Sequence, residues 1–136
     1  MDWITESVAI GNYLDARDEK MLREHGFRSA VSLDATLKKG DEDDLPYRAI
    51  ASYNLVDGPG NDPRVFLHAL DALVRLVDSA PPVLVQCHAG RSRSVILVAA
   101  YLMRLHGHDE DEALAEVERK REVAITQGIE GLLSHV

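Results

Sequence analysis

Only one cysteine, Cys87, stands among the 136 residues, so neither an intramolecular disulfide nor a zinc site built from several thiolates can form. If that thiol matters, it matters through reactivity. Long apolar runs are missing too: the longest, Val95 to Met103, ends at Arg104, well short of the roughly twenty residues a bilayer span needs. No stable membrane insertion is expected. Met1-Asp2-Trp3 lacks a cationic start followed by an apolar stretch, so no signal peptide is visible and the cytoplasm is the default compartment. Basic charge is scarce, with 15 Lys and Arg against 23 Asp and Glu for a formal net charge of −8. That balance argues against a nucleic-acid-binding surface, and any anion-binding function must be local. Repeats and low-complexity tracts are absent, and the acidic run Asp41 to Asp44 reads as a solvated loop.

What is present is a globular balance, 46% hydrophobic and 28% charged, in a chain the size of one ordinary domain spanning residues 1–136. Ile4 to Ile10 reads as a short strand or hairpin closed near Gly11-Asn12, followed by a helix capped by Asp15 and stopped at Gly26. Phe27 to Leu33 reads as a strand. Arg48 to Leu55 alternates Ala49, Ala51, Tyr53 and Leu55 against Ile50, Ser52 and Asn54, the pattern of a half-buried strand. A Gly/Pro loop from Asp57 to Pro63 then hands over to a helix over 63–79, with Asp62 as its N-cap and Pro63 in its first position. Val83 to Val85 is wholly apolar, as in a central strand covered on both faces. Arg93 to Leu105 is apolar nearly all round, a buried helix ended by Gly107. Asp109 and Glu112 form a capping box opening an exposed helix to about Glu122, and a last short helix spans about 128–135. Strands alternating with helices predict an α/β fold with a central, mostly parallel sheet flanked by helices.

The chemistry concentrates in Val83 to Ser94, VLVQCHAGRSRS, where five residues separate Cys87 from Arg93 and Ser94 follows. A short turn from strand end to helix start can direct successive backbone N–H groups at a tetrahedral oxyanion beside the positive helix end. His88, Ala89, Gly90, Arg91, Ser92 and Arg93 would form that cradle. Ala89 and Gly90 permit close backbone approach, and the Arg93 guanidinium matches phosphate oxygens with a planar fork. The same field favours a Cys87 thiolate over the thiol. A proton donor for the leaving group should lie at another strand end. Asp57, on its mobile Gly/Pro loop, is the first candidate; Asp62 is better explained as a cap, and Asp34 is a third.

These residues resemble the cysteine-dependent phosphatases of the C-x5-R type, and within them the dual-specificity phosphatases. IGNYLDARD, the strand leading to Asp57, AGRSRS, AAYLMR and EALAEVERKRE extend the likeness over most of the chain. Rhodanese-type sulfurtransferases usually carry one residue fewer before the arginine, and low-molecular-weight tyrosine phosphatases place the motif near the N-terminus with the acid downstream. The resemblance implies a phosphotyrosine protein phosphatase-like fold and a mechanism free of metal or other cofactor. In that mechanism Cys87 attacks phosphorus, Arg93 and the loop amides hold the non-bridging oxygens, Asp57 protonates the departing oxygen, and Ser94 assists the thiolate when it leaves. Two departures stand out. Gln86 occupies the place of the family's usual His, and Thr126-Gln127-Gly128-Ile129 lies where an Asn-x-Gly-Phe segment often braces the phosphate loop.

The reading is a monomeric protein phosphatase acting on phosphotyrosine and, because only 86 residues precede Cys87 to build pocket walls, on phosphoserine or phosphothreonine in a shallow cleft. Arg91 motivates an alternative substrate, a phospholipid resembling phosphatidylglycerophosphate or another small phosphate ester. A phosphate-binding module without turnover is a third reading, suggested by Gln86 and the altered brace. Of the remaining residues, His88 is expected to face out of the loop, His106 and His108 to sit at a solvated helix end, and Tyr101, Leu102 and Met103 to fill core.

Overall fold

The computed structural model describes residues 1–136. Five strands, β1 (Asp2–Trp3), β2 (Val8–Gly11), β3 (Ser29–Ser32), β4 (Ala49–Ser52) and β5 (Val83–Gln86), form one sheet in the order β1-β2-β5-β3-β4. Only β1 runs antiparallel, paired with β2, while β2, β5, β3 and β4 are mutually parallel. The expected mostly parallel sheet is present, and β5 lies at its centre. Helices α1 (Glu19–Glu24), α2 (Pro63–Ser79), α3 (Arg93–His106) and α4 (Glu110–Lys120) complete the layers, with 3₁₀ turns at Asp15–Arg17, Asp41–Asp43 and Ile129–His135.

Side-chain alternation divides the sheet between two cores. Val8, Ile10, Val31, Val83 and Val85 face the larger core, which α2 and α3 cover with Phe66, Leu70, Leu73, Ile96 and Leu97. Ala9, Ala30 and Leu84 point to the opposite face, against Leu22, Phe27, Leu37 and Tyr47. The half-buried pattern of β4 obeys the same rule: Ala49 and Ala51 pack on the larger core and Ile50 on the smaller.

The α2 boundaries follow from local chemistry: the Asp62 side chain accepts from Arg64 N–H, Pro63 opens the helix, and Ser79 ends it before Pro81-Pro82. Gly107, at φ +71°, closes α3, and the Asp109–Glu112 capping box opens α4. Two expectations near the N-terminus are corrected. The hairpin turns at Ile4–Ser7, where Thr5 Oγ1 accepts from the N–H groups of Ser7 and Val8, and Gly11 is the last residue of β2 instead of a turn residue. Asp18, accepting from Met21 N–H, caps α1, whereas Asp15 turns back to accept from Asn12 N–H and lies 3.3 Å from the N-terminal amine. The second misplacement arises because two carboxylates three residues apart, Asp15 and Asp18, compete for one helix start. Strands Phe27–Leu33 and Arg48–Leu55 shorten to β3 and β4, and α4 stops at Lys120.

Candidate active site

The parallel strands bring four chain segments to one edge of the sheet. Gly11, Gln86, Ser32 and Ser52 are in register at the carboxyl ends of β2, β5, β3 and β4, so the loops after them share one crevice. Cys87 follows β5 directly, and Asp57 lies on the loop after β4. Together with His88, Ala89, Arg91, Ser92, Arg93 and Ala124 they line a cleft of about 300 Å³. A larger groove of about 750 Å³ lies between the β1–β2 turn and the α3–α4 corner, next to Tyr101, His106, His108 and Lys120. Trp3, at the end of β1, lines it, but no cysteine does, and none of the four carboxyl-terminal strand residues in register at the crevice reaches it.

Within the loop the backbone is polarised. The carbonyls of His88, Gly90, Arg91 and Ser92 accept from Tyr13 N–H, Arg121 Nε, Ala124 N–H and Ile96 N–H respectively. The N–H groups from His88 to Arg93 have no protein acceptor. Acceptors are thus consumed by the scaffold and donors are left over, as an anion cradle requires. Gly90 is placed by conformation and space: its φ is +67°, and a Cβ there would stand 2.5 Å from the Gly11 carbonyl oxygen. It is the one residue of the loop that supports the cleft without lining it.

Cys87 is 2% exposed, and its Sγ lies 3.1 Å from Ser94 Oγ and 3.4 Å from Ser94 N, which donates to it. Arg93 donates from one terminal nitrogen to the Leu55 carbonyl, while its buried Nε has no partner. A guanidinium anchored at one end with a free buried donor at the other is suited to an anionic ligand.

Asp57 reaches the loop through two hydroxyls. Ser92 Oγ donates to Asp57 Oδ1 at 2.6 Å, Thr126 Oγ1 donates to Asp57 Oδ2 at 2.9 Å, and Thr126 N–H donates to Ser92 Oγ at 3.0 Å. The other two carboxylates have different roles. Asp62 is held below the usual carboxylate range by hydrogen bonds from the Arg64 side chain and backbone. At Asp34 burial pushes the carboxyl up, but hydrogen bonds from Gln86 and Thr36, aided by the Arg93 charge, outweigh it and hold the group below its ordinary value. Asp62 is thus committed to the start of α2, and Asp34 to Gln86 and Thr36.

Gln86 is fully buried and bridges Ser32 Oγ, from which it accepts at 2.7 Å, to Asp34 Oδ1, to which it donates at 2.7 Å. It therefore ties β5 to the loop after β3. His88 is exposed, as expected, and its ring stacks on Tyr13 with centroids 4.4 Å apart. Arg91 is exposed on the cleft. Tyr101 and Leu102 are buried and Met103 is half-buried. His106 is exposed, but His108 is only half-exposed, with a buried Nδ1 that has no partner, so that corner is less open than expected. The sequence reading missed Arg121, which contacts Gly90, Ile10 and Asp2, and it missed the engagement of Thr126 with Asp57. The available signals were the altered Thr126-Gln127-Gly128-Ile129 segment and, for Arg121, its place in EALAEVERKRE.

Residues 8–131 match the family model described as "Dual specificity phosphatase, catalytic domain". The Arabidopsis thaliana dual specificity protein phosphatase 1 is 30% identical over 125 residues, covering 89% of this chain and 60% of that protein. The chain thus spans about 60% of that curated relative's length. A mouse dual specificity phosphatase crystallised with zinc tungstate superposes with a TM-score of 0.85 at 26% identity, covering 98% of this chain and 84% of that one. A human tyrosine phosphatase-like serine/threonine/tyrosine-interacting protein superposes with a TM-score of 0.83 at 26% identity, covering 99% and 93%. No helix is long and apolar enough to cross a membrane. With the family model extending from β2 into the last 3₁₀ turn, the chain belongs to the dual specificity phosphatase catalytic-domain family.

Proposed function

We propose that this chain is a cysteine-dependent phosphoric monoester hydrolase, a protein phosphatase acting on phosphotyrosine and on phosphoserine or phosphothreonine. The observation that carries this reading is the polarised loop: free N–H donors from His88 to Arg93 surround the approach to a sulfur that itself accepts from Ser94. Cys87 Sγ attacks phosphorus in line with the ester oxygen, the P–O bond to that oxygen breaks, and Asp57 transfers its proton to the oxygen as it leaves. The loop N–H groups and Arg93 bind the three non-bridging oxygens as charge redistributes among them. In the second step the Asp57 carboxylate takes a proton from water, whose oxygen attacks the cysteinyl-phosphate. Inorganic phosphate departs, and Ser94 Oγ, 3.1 Å from Sγ, stabilises the released thiolate. These groups supply nucleophile, proton and charge stabilisation without calling on a metal.

The enzyme acts as one catalytic domain and as a monomer. A nucleophilic thiol stays reduced in the cytosolic redox poise, which supports a cytoplasmic site of action. One observation favours a second substrate class: Arg91 is exposed on the cleft, and its guanidinium has no protein partner. It could meet a second anionic group on a phospholipid such as phosphatidylglycerophosphate. Rates on a phosphotyrosine peptide, a phosphothreonine peptide and phosphatidylglycerophosphate, measured beside Arg91→Ala, separate the two. The protein phosphatase reading expects the peptides to be the better substrates and the variant to change them little. Phospholipid turnover that exceeds both peptides and falls in Arg91→Ala would replace it.

A further inference from the structure

The Asp57 loop is internally stiff yet held to the body of the protein by few bonds. Asn61 closes it from within, accepting from Val56 N–H and donating to the carbonyls of Val56 and Gly58. On the outside, Thr126 contacts both partners at once, its hydroxyl donating to Asp57 Oδ2 and its N–H to Ser92 Oγ. Two residues on, the backbone of Gly128 lies so close to Pro59 that a Cβ there would approach Pro59 Cδ to 2.9 Å. The segment after α4 is therefore moulded to the proton-donating loop as well as to the phosphate loop.

From this geometry, and resting on the proposed hydrolase reading, we infer that Thr126 is a positioning residue that selects which oxygen of Asp57 delivers the proton. Its hydroxyl occupies Oδ2. Oδ1, whose partner Ser92 lines the cleft, is the oxygen that exchanges its hydrogen bond for the leaving oxygen when substrate enters. With Oδ2 engaged, the proton resides on Oδ1 and passes to the departing alkoxide or phenoxide, leaving Asp57 as the carboxylate. Removing the Thr126 hydroxyl frees the carboxyl to rotate but leaves the Thr126 N–H bond to Ser92 in place. The loss therefore falls on proton delivery, not on phosphate binding.

The test compares kcat/KM for phenyl phosphate, which needs a proton on its leaving group, with that for 2,4-dinitrophenyl phosphate, which does not. Thr126→Val is expected to lose about 10-fold or more on phenyl phosphate, within the range one positioned acid supplies, and less than about 2-fold on the dinitrophenyl ester. Competitive inhibition by tungstate should be unchanged. Thr126→Ser should restore the rate on phenyl phosphate, and adding Thr126→Val to Asp57→Asn should cost nothing further. Equal losses on both esters with weakened tungstate inhibition would make Thr126 a brace of the phosphate loop and overturn the inference. Unchanged rates on both would overturn it too. Failure of the cysteine-dependent hydrolase reading is distinct, since it would show as no turnover of either ester by wild-type protein, or as turnover that persists in Cys87→Ser.

Discussion

The phosphate loop and the Asp57 loop sit on the same cleft but are built in opposite ways. Between β5 and α3 the chain is buried at Cys87 and Ser92, its carbonyls are taken by Tyr13, by Arg121 and Ala124 after α4, and by Ile96 within α3, and Gly90 is in van der Waals conflict with any side chain. The Asp57 loop is largely exposed and connects to the rest of the site through Ser92 and Thr126. Charge stabilisation gains from donors fixed before the reaction begins, because donors that must reorganise lose their advantage. Proton delivery tolerates a group that moves in when substrate binds. On the proposed mechanism, rigidity is thus concentrated where charge would be bound and relaxed where a proton would be passed.

Substitutions can break that division, and the largest effect should come from the rigid side. Arg93→Lys retains the charge but loses the planar fork, and kcat/KM should fall by about 10²–10³-fold whatever the leaving group. Initial rates on esters of graded leaving-group ability check this, and a loss confined to poor leaving groups would contradict it. Asp57→Asn should give the opposite profile, about 10²-fold on phenyl phosphate and far less on an activated ester. Gly90→Ala should act through stability: its strained φ and the contact with Gly11 together should cost about 1–3 kcal/mol, read as an earlier denaturant midpoint. The smallest expected effect belongs to Asp34. Because its folded-state carboxyl lies below the ordinary value of 3.8, it contributes stability above about that pH and loses it as pH falls through the folded value. Asp34→Asn should flatten the acid limb of a stability-versus-pH curve and leave the plateau near neutrality only slightly lowered.

The same contrast explains how much the sequence disclosed. Signals confined to a few neighbouring residues read correctly: Asp62-Pro63 opening α2, Gly107 closing α3, the Asp109–Glu112 capping box, and the strand-loop-helix around Cys87. Each is a local hydrogen bond or a local φ requirement. Contacts across long stretches of chain were not legible. Thr126 meets Asp57 across 69 residues, Arg121 meets Asp2 across 119, and Gln86 joins Asp34 across 52. No local spacing encodes them, and they could be noticed only as departures from a familiar pattern. Near the N-terminus even the local reading failed, since Asp15 and Asp18 are both good caps and only the packing of Asn12 and the terminal amine decides between them.

The central claim is that Cys87 Sγ becomes covalently bonded to phosphorus. The most direct measurement is mass spectrometry of Ser94→Ala protein, quenched in acid during turnover of an aryl phosphate. With the thiolate's hydroxyl partner removed, release of the phosphoryl group should slow and one PO3 group should accumulate on the peptide carrying Cys87, with none in the Cys87→Ser, Ser94→Ala double variant. Continued phosphate release by that double variant, or turnover of the single variant with phosphate on another residue, would contradict the account.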